Sequence, residues 1–177
     1  MRHTLFWMIS VLFGAQILAE EPGTAAKPEE VARRFYSELK RHQVTGLPTG
    51  EAWEGIRPLV SEALGTALQR ARKEQEEFMR KFPDEKPPWI EGDLFSSLFE
   101  GFHGFTVRTP KVEKDRAEIP IEFAYTDRGE TTRWTDTLLL RLSESGWRVD
   151  DVRYGATWDF ANQGTLQAAL APEKPVE

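Results

Sequence analysis

Residues 138–155, LLLRLSESGWRVDDVRYG, decide how we expect this chain to fold. An apolar run with the alternation of a strand is interrupted at Ser143-Glu144-Ser145-Gly146, and a second strand follows from Trp147. A short polar break that contains glycine, placed between two such runs, is typical of a β-hairpin turn. The stretch therefore predicts two antiparallel strands that close a sheet, with Trp147 entering the core at the start of the last strand.

The returning strand changes face at its two aspartates. By alternation Trp147 and Val149 lie on one face, whereas Val152 falls on the other. A β-bulge at Asp150-Asp151 would return Val152 to the core, and we expect one there. The alternative is that one of these two carboxylates points into the mouth of a cavity.

Periodicity places helices before strands along the chain. Apolar residues repeat with helical spacing from Pro28 and again from Pro58, and Asp93 can cap a short helix over 94–99. Further along, the period changes to two, which is the spacing of half-buried strands. The strands predicted from it cover residues 103–110, 116–126, 131–143 and 147–154.

Helices followed by consecutive strands indicate the α+β class rather than an alternating α/β fold. We expect N-terminal helices packed on one face of a curved four-stranded antiparallel sheet, forming a cone with an internal cavity. A short C-terminal helix, with Leu166 and Leu170 facing inward, closes the chain.

The first residues predict export. Arg2 supplies a basic start, Leu5 to Leu18 is almost uninterrupted apolar sequence, and polarity returns after Ala19. This is the pattern of a secretory signal peptide, and the apolar run is shorter than the ~20 residues of a membrane-spanning helix. We therefore expect a periplasmic or secreted protein; the alternative is an uncleaved N-terminal anchor. The predicted organisation is a signal peptide at 1–19, a flexible lead-in at 20–27, one domain at 28–170 and a disordered tail at 171–177.

Composition narrows the possible partners. The 177-residue chain has a net charge of −6 and no cysteine, which excludes disulfides and a lipid anchor on cysteine. An acidic chain without a cluster of Lys and Arg argues against nucleic acid and anionic membranes as partners. The three histidines are far apart, and neither a phosphate-binding glycine loop nor a nucleophile elbow occurs, so we expect no metal and no cofactor. The oligomeric state stays open.

The order of elements resembles a known superfamily. A helix pair followed by a strand meander that ends on Gly-Trp-Arg-Val-Asp-Asp-Val, residues 146–152, is similar to the nuclear-transport-factor-2-like superfamily of SnoaL-like and cystatin-like cones. Gly92-Asp93-Leu94-Phe95, together with Trp147 to Tyr154, resembles a family of bacterial envelope proteins of unknown function within it. The resemblance implies a cone fold and an exported protein, and it carries no catalytic residues over to this chain.

Two residues could support proton transfer. By alternation His103 and Asp136 lie on the apolar faces of their strands, beside Phe105 and Trp134. A carboxylic acid among aromatic residues has a raised pKa and can act as a general acid or base. This hypothesis requires that both side chains reach one open cavity. The alternative, which we favour, is a partly buried core histidine bonded to a backbone carbonyl and an aspartate at a strand end in water.

The aromatic residues favour binding over catalysis, and the residues expected to contact a ligand or partner are Trp89, Phe95, Trp134 and Trp158. Trp89 and Trp158 lie in polar surroundings, where tryptophan is frequent on binding surfaces. We therefore expect an exported domain that binds a small apolar ligand or a protein partner without catalysis. An immunity or inhibitor protein that blocks an envelope toxin or hydrolase is one version. The alternative is a small cone-fold enzyme of the isomerase or dehydratase type that uses His103 and Asp136.

Overall fold

A computed structural model describes residues 26–172, so the predicted signal peptide, most of the predicted lead-in at 20–27 and the end of the predicted tail lie outside the described residues. Helices come first and strands afterwards, as the sequence predicts. In chain order the elements are α1 (Pro28–Arg41), α2 (Gly50–Ile56), a 3₁₀ turn (Arg57–Leu59), α3 (Glu62–Lys81), β1 (Gly104–Val107), β2 (Lys111–Glu113), β3 (Arg116–Asp127), β4 (Glu130–Ser143), β5 (Gly146–Arg153) and α4 (Leu166–Ala169). The α+β class is confirmed.

The sheet is antiparallel, and its spatial order is β1-β3-β4-β5. Strands β3 and β4 pair along their whole length, from Arg116 opposite Arg141 to Asp127 opposite Glu130. Strand β2 pairs with the first residues of β3, beyond the reach of β1, so the sheet has five strands rather than the predicted four. The strand predicted at 103–110 ends at Val107, and β2 lies after it, where no strand was predicted. Pro110, between the two strands, has no amide hydrogen to give to the ladder.

The predicted β-bulge is confirmed at the aspartates of β5. Leu140 pairs with Val149 and Leu139 pairs with Asp151, so Asp150 is the extra residue between them. As a result Val149 and Val152 are both fully buried although they have opposite parity in the sequence. Trp147, expected to enter the core, is half-buried and packs against the core from its edge.

The helices cover one face of the sheet. Val31, Phe35 and Leu39 recur along one side of α1 and are buried, as their spacing predicts, and α1 contacts β1, β3 and β5. The helix predicted to begin at Pro58 begins instead at Glu62, where the Ser61 side chain accepts a hydrogen bond from the Leu64 amide at 3.1 Å. The residues before it are held out of the helix by the sheet, because the amide of Ser61 donates to the Val149 carbonyl at 2.7 Å.

The predicted cone with an internal cavity is not confirmed. The sheet is open, with β1 and β2 at one edge and β5 at the other. Within residues 26–172 the helical face of the sheet is filled by packed side chains. Tyr36, for example, contacts the rings of Phe102, Phe105 and Phe123. Leu166 and Leu170 are fully buried, as predicted for the C-terminal helix. Among the described residues, none of the helices is both long enough and apolar enough to cross a membrane.

Candidate functional site

The segment Asp93–Ser97 is a buried loop whose backbone carbonyls are all satisfied by distant groups. The predicted helix over 94–99 does not form, and the segment has no regular structure. A buried loop is stable only when its polar backbone groups find partners. Each of the five carbonyls accepts a hydrogen bond, and the donors are Asn162 Nδ2 to Asp93 (2.9 Å), Tyr154 Oη to Leu94 (2.7 Å), Tyr36 Oη to Phe95 (3.2 Å), Asn162 Nδ2 to Ser96 (2.8 Å) and the Asn162 amide to Ser97 (2.8 Å).

Asp93 organises this loop from within. Its carboxylate accepts a hydrogen bond from the Phe95 amide at 2.6 Å and another from the Ser96 hydroxyl at 3.0 Å. A bond to the amide two residues ahead is an Asx turn, which is one of two uses of an aspartate before an apolar run, the other being a helix cap. The carbonyls that a helix would have used are bound to Tyr36, Tyr154 and Asn162 instead, which explains why the helix prediction was wrong.

Asp136 on β4 joins the buried loop to the sheet. Its carboxylate accepts from the Ser97 amide at 2.7 Å, from the Ser97 hydroxyl, from the Gly155 amide at 2.8 Å and from Trp134 Nε1 at 3.1 Å. The residue is fully buried. We call Asp93–Ser97, together with Asp136, Tyr36, Tyr154, Gly155 and Asn162, the buried joint.

Gly155 is required for the close approach on which these bonds depend. A Cβ atom at this position would lie 2.1 Å from the Thr135 carbonyl oxygen of β4, a contact that no side chain tolerates. Without a side chain the backbone of residue 155 lies directly on β4, so its amide reaches both Asp136 and the Ser97 hydroxyl. The glycine therefore sets the path of the chain after β5.

Burial dominates the electrostatics of the two aspartates. It raises the pKa of Asp93 from 3.8 to about 6, and the hydrogen bonds from Phe95 and Ser96 oppose that rise. Burial also raises the pKa of Asp136, against the hydrogen bonds from Ser97, Gly155 and Trp134. Both carboxylates are thus removed from water, and hydrogen bonds from the protein replace those that water would make. This pattern is typical of carboxylates with a structural role.

The structure does not bring His103 and Asp136 together. His103 is exposed, its ring stacks on Tyr125 at 4.5 Å, and its Nδ1 accepts from the Thr126 amide. Its own amide bonds the Ala124 carbonyl, whereas Asp136 lies opposite Ile121. Three residues along a strand correspond to about 10 Å, and the histidine is at the surface while the aspartate is buried. The geometry needed for an acid–base pair is absent between these two residues. The favoured alternative was also wrong, because His103 is exposed and accepts from an amide, and Asp136 is fully buried rather than in water.

Of the four predicted binding residues, Phe95 and Trp134 lie in the core, at 1% and 6% exposure. Trp89 is half-buried and donates from Nε1 to the Ala169 carbonyl at 3.1 Å, so it fastens the proline-rich loop to α4. Trp158 is half-buried, and its ring meets that of Trp134 edge to face at 6.0 Å. Only Trp158 extends the aromatic core towards an open surface.

Phe160 is the residue that sequence reasoning missed. Its side chain is 73% exposed, and its ring lies 6.0 Å from that of Trp158. A continuous series of rings therefore leads from Phe123 through Trp134 and Trp158 to Phe160 at the surface. The signal in the sequence is a second aromatic residue two positions after Trp158, in a loop with little other apolar content.

A cleft of about 480 Å³ lies beside Phe160. Its walls come from the loop after the buried joint and from the turn between β3 and β4. We call Phe160 and this cleft the Phe160 surface, and the lining residues are Leu98, Glu100, Tyr125, Asp127, Arg128, Glu130 and Thr132. The cleft thus combines apolar and aromatic groups with three carboxylates and one guanidinium.

The buried joint holds the loop that carries Phe160 at both ends. Before Phe160, the amides of Gly155 and Ala156 bond the Ser97 hydroxyl at 3.2 Å. After it, Asn162 makes three hydrogen bonds to the buried loop. Phe160 therefore lies in a short loop segment, residues 157–161, whose two ends are hydrogen-bonded to the buried loop.

A second, larger groove of about 1010 Å³ lies between α3 and the β4–β5 turn. Two of its arginines already have acidic partners, since Arg70 lies 3.4 Å from Glu74 and Arg141 lies 3.4 Å from Asp150. Among residues 26–172, no group of three or more His, Asp or Glu side chains is arranged to hold a metal ion. Unlike this groove, the Phe160 surface contains an exposed aromatic side chain.

Comparisons with known proteins give little guidance. No family model matches the sequence, and no curated protein is similar to it. Among solved structures, a chain from the type VI effector–immunity complex Tae3–Tai3 of Ralstonia pickettii is similar, with 17% identity, a TM-score of 0.45 and coverage of 75% of this chain and 98% of that one. A score of that size carries no information on activity or partner.

The resemblance to the nuclear-transport-factor-2-like superfamily was wrong. The sheet is open, and within residues 26–172 its helical face is filled by packed side chains, so the cone with an internal cavity is absent there. The narrower resemblance to an envelope family within that superfamily is withdrawn with it. The error has a physical origin. Helices before a strand meander, and a tryptophan after a hairpin turn, satisfy the general packing needs of an α+β domain and do not specify one superfamily.

Proposed function

We propose that this chain is an exported domain that binds a protein partner through the Phe160 surface and catalyses no reaction. The observation that carries the proposal is the 73% exposure of Phe160 on a loop fixed at both ends by the buried joint. When the backbone of an exposed aromatic residue is already ordered, binding does not have to order it, so more of the free energy of burying the ring is available for affinity. Fully buried aromatic anchors dominate the energetics of protein interfaces.

A protein partner fits this chain better than a small apolar ligand. A small apolar ligand needs a concave site that buries most of its surface. The interior where such a site was expected is filled, and Phe95 and Trp134 are part of that filling. Phe160 projects outward instead, and an outward aromatic group complements a pocket on another protein. Of the residues predicted to bind, Trp158 keeps a role because it supports Phe160 from behind.

We do not propose proton transfer by His103 and Asp136. The carboxylate of Asp136 accepts hydrogen bonds from the amides of Ser97 and Gly155, and it is fully buried, so a substrate cannot reach it. His103 lies at the surface on another strand. A carboxylate with this surrounding stabilises the loop rather than moving a proton.

Export is the second part of the proposal, and residues 1–19 support it by their basic start and short apolar run. Cleavage after Ala19 would leave a periplasmic or secreted product beginning at Glu20. The intact mass of the protein recovered from an envelope fraction measures this directly. A mass that includes residues 1–19 would show that the segment is retained.

Partner binding is tested by comparing three proteins recovered from the envelope fraction of an expressing bacterium: wild type, Phe160→Ser and Phe82→Ser. Phe82 is a matched control because it is also an exposed phenylalanine, at 45%, but lies at the end of α3. Each protein is immobilised and offered an envelope extract. We expect one or more proteins to be captured by wild type and Phe82→Ser and lost from Phe160→Ser.

Each captured protein is then purified and titrated calorimetrically against the three variants. Truncating a central aromatic anchor costs about 2 kcal/mol or more, so Phe160→Ser should weaken binding about thirtyfold or more. Equal affinities for wild type and Phe160→Ser would rule out the Phe160 surface as the binding site.

A further inference from the structure

We infer that the partner presents Lys or Arg side chains around an apolar pocket that receives Phe160. This inference rests on the proposed function and adds the chemistry of the partner. It comes from the charges that line the cleft beside Phe160. Glu100, Asp127 and Glu130 line it, and Arg128 is the single cation among them. Opposite charges facing each other across an interface steer association and select the partner.

The carboxylates of the cleft are available to a partner because they are solvated. Glu100, Asp127 and Glu130 are all exposed. The contact between Asp127 and Arg128 spans 3.9 Å, and both side chains are largely in solvent. Such surface pairs contribute little free energy and exchange readily for a better partner. Within residues 26–172, neither Glu100 nor Glu130 takes part in an ion pair with another side chain.

The placement of these groups favours arginine over lysine at one point of the contact. Tyr125 lines the same cleft as Glu100, Asp127 and Glu130, and one face of its ring stacks on His103. A guanidinium can lie on an aromatic face and bond a carboxylate at the same time, whereas an ammonium acts as a point charge. A partner arginine entering beside Phe160 would meet both kinds of group.

The same charges argue against the other macromolecules that an exposed phenylalanine could contact. A lipid surface rich in anionic head groups, or a nucleic acid backbone, would meet three carboxylates and be repelled. The whole chain has a net charge of −6, so the long-range field has the same sign as the cleft. A basic protein surface is the occupant to which both the local and the overall charge are complementary.

The test uses a random-peptide display library as the probe, selected on the full wild-type protein. Enriched peptides are synthesised and titrated against wild type, Phe160→Ser and the triple variant Glu100→Gln/Asp127→Asn/Glu130→Gln. The control is a second triple variant, Glu51→Gln/Glu76→Gln/Glu85→Gln, which removes three exposed carboxylates elsewhere on the molecule. Both triple variants change the net charge by the same amount, so only the position of the charges differs.

We expect the enriched peptides to combine Lys or Arg with apolar residues and to depend on Phe160. The cleft triple variant should weaken their binding about tenfold, mostly through a slower association rate, and raising the salt concentration should have the same effect on wild type. The control triple variant should bind within about twofold of wild type, because none of its three carboxylates lines the cleft.

Two other outcomes separate the inference from the proposed function. Peptides that depend on Phe160 but carry no excess of Lys and Arg, or that bind the cleft triple variant as well as wild type, would overturn the inference and leave the proposed function standing. Enriched peptides that bind Phe160→Ser as tightly as wild type would overturn both. Circular dichroism of each variant confirms that a loss of binding is not a loss of fold.

Discussion

The buried joint and the Phe160 surface differ sharply although they share a loop. In the buried joint each carbonyl from Asp93 to Ser97 has a donor, and the Asp136 carboxylate accepts from three residues. At the Phe160 surface a phenylalanine is 73% exposed, and the carboxylates beside it are in solvent. The difference indicates that the two regions have separate roles. The polar network of the buried joint stabilises the backbone, and the Phe160 side chain that projects from it contributes little to the stability of the fold.

The comparison predicts that truncating Asp136 has the largest effect on stability. Asp136→Ala would leave the Ser97 amide, the Ser97 hydroxyl and Trp134 Nε1 without their acceptor in the interior, and the Gly155 amide with only its 3.2 Å bond to the Ser97 hydroxyl. Each buried unsatisfied group costs about 1–3 kcal/mol, so the free energy of unfolding should fall by about 4 kcal/mol or more. Urea denaturation measures it. Asp127→Ala at the exposed β3–β4 turn is the matched carboxylate and should change the value by less than about 0.5 kcal/mol.

Replacing Gly155 comes next. Gly155→Ala introduces a Cβ atom 2.1 Å from the Thr135 carbonyl oxygen, so the chain after β5 must move away from β4. Overpacking of this kind costs about 1–3 kcal/mol, and the bonds to Asp136 are lost with it. Gly104→Ala is the control, because a Cβ at that position meets nothing within 4 Å. Similar denaturation midpoints for the two variants would contradict the close approach.

The pH dependence of stability follows from the raised pKa of Asp93. The folded protein holds this proton up to about pH 6, whereas the unfolded chain releases it near 3.8. Between these values the folded state binds more protons, so the free energy of unfolding falls as the pH rises through that window. The contribution is up to about 3 kcal/mol, and the raised pKa of Asp136 acts in the same direction. Urea titrations from about pH 4 to about pH 7 measure the slope.

Asp93→Asn supplies the check on that slope. The amide keeps an oxygen acceptor for the Phe95 amide but does not titrate. The variant should therefore show a flatter dependence on pH than wild type over the same range. An unchanged slope would mean that groups other than Asp93 govern it.

The smallest effect on stability is expected at Phe160. Phe160→Ser removes a side chain that is mostly in solvent, so the free energy of unfolding should change by less than about 0.5 kcal/mol. A loss of several kcal/mol, measured in urea, would show that Phe160 belongs to the core and would remove the contrast with the buried joint. A Phe160→Ser variant that is as stable as wild type but no longer binds a partner would support the contrast between the buried joint and the Phe160 surface.

The sequence by itself determined β1, β3, β4 and β5, together with α1, α4 and the bulge in β5, but not the short strand β2. Those features depend on the spacing of apolar residues and on the parity of Val149 and Val152, which are properties of neighbouring positions. The order of helices and strands followed for the same reason. What spacing could not determine was the superfamily, because many α+β domains share that order.

Only the tertiary structure decided the shape of Asp93–Ser97 and the exposure of Phe160. An aspartate before an apolar run suits a helix cap and an Asx turn equally well. The choice was made by Tyr36, Tyr154 and Asn162, which are roughly 60 to 70 residues away and supply the donors that a helix would have supplied itself. Those long-range bonds also fix the loop that leaves Phe160 in solvent, and no local pattern contains them.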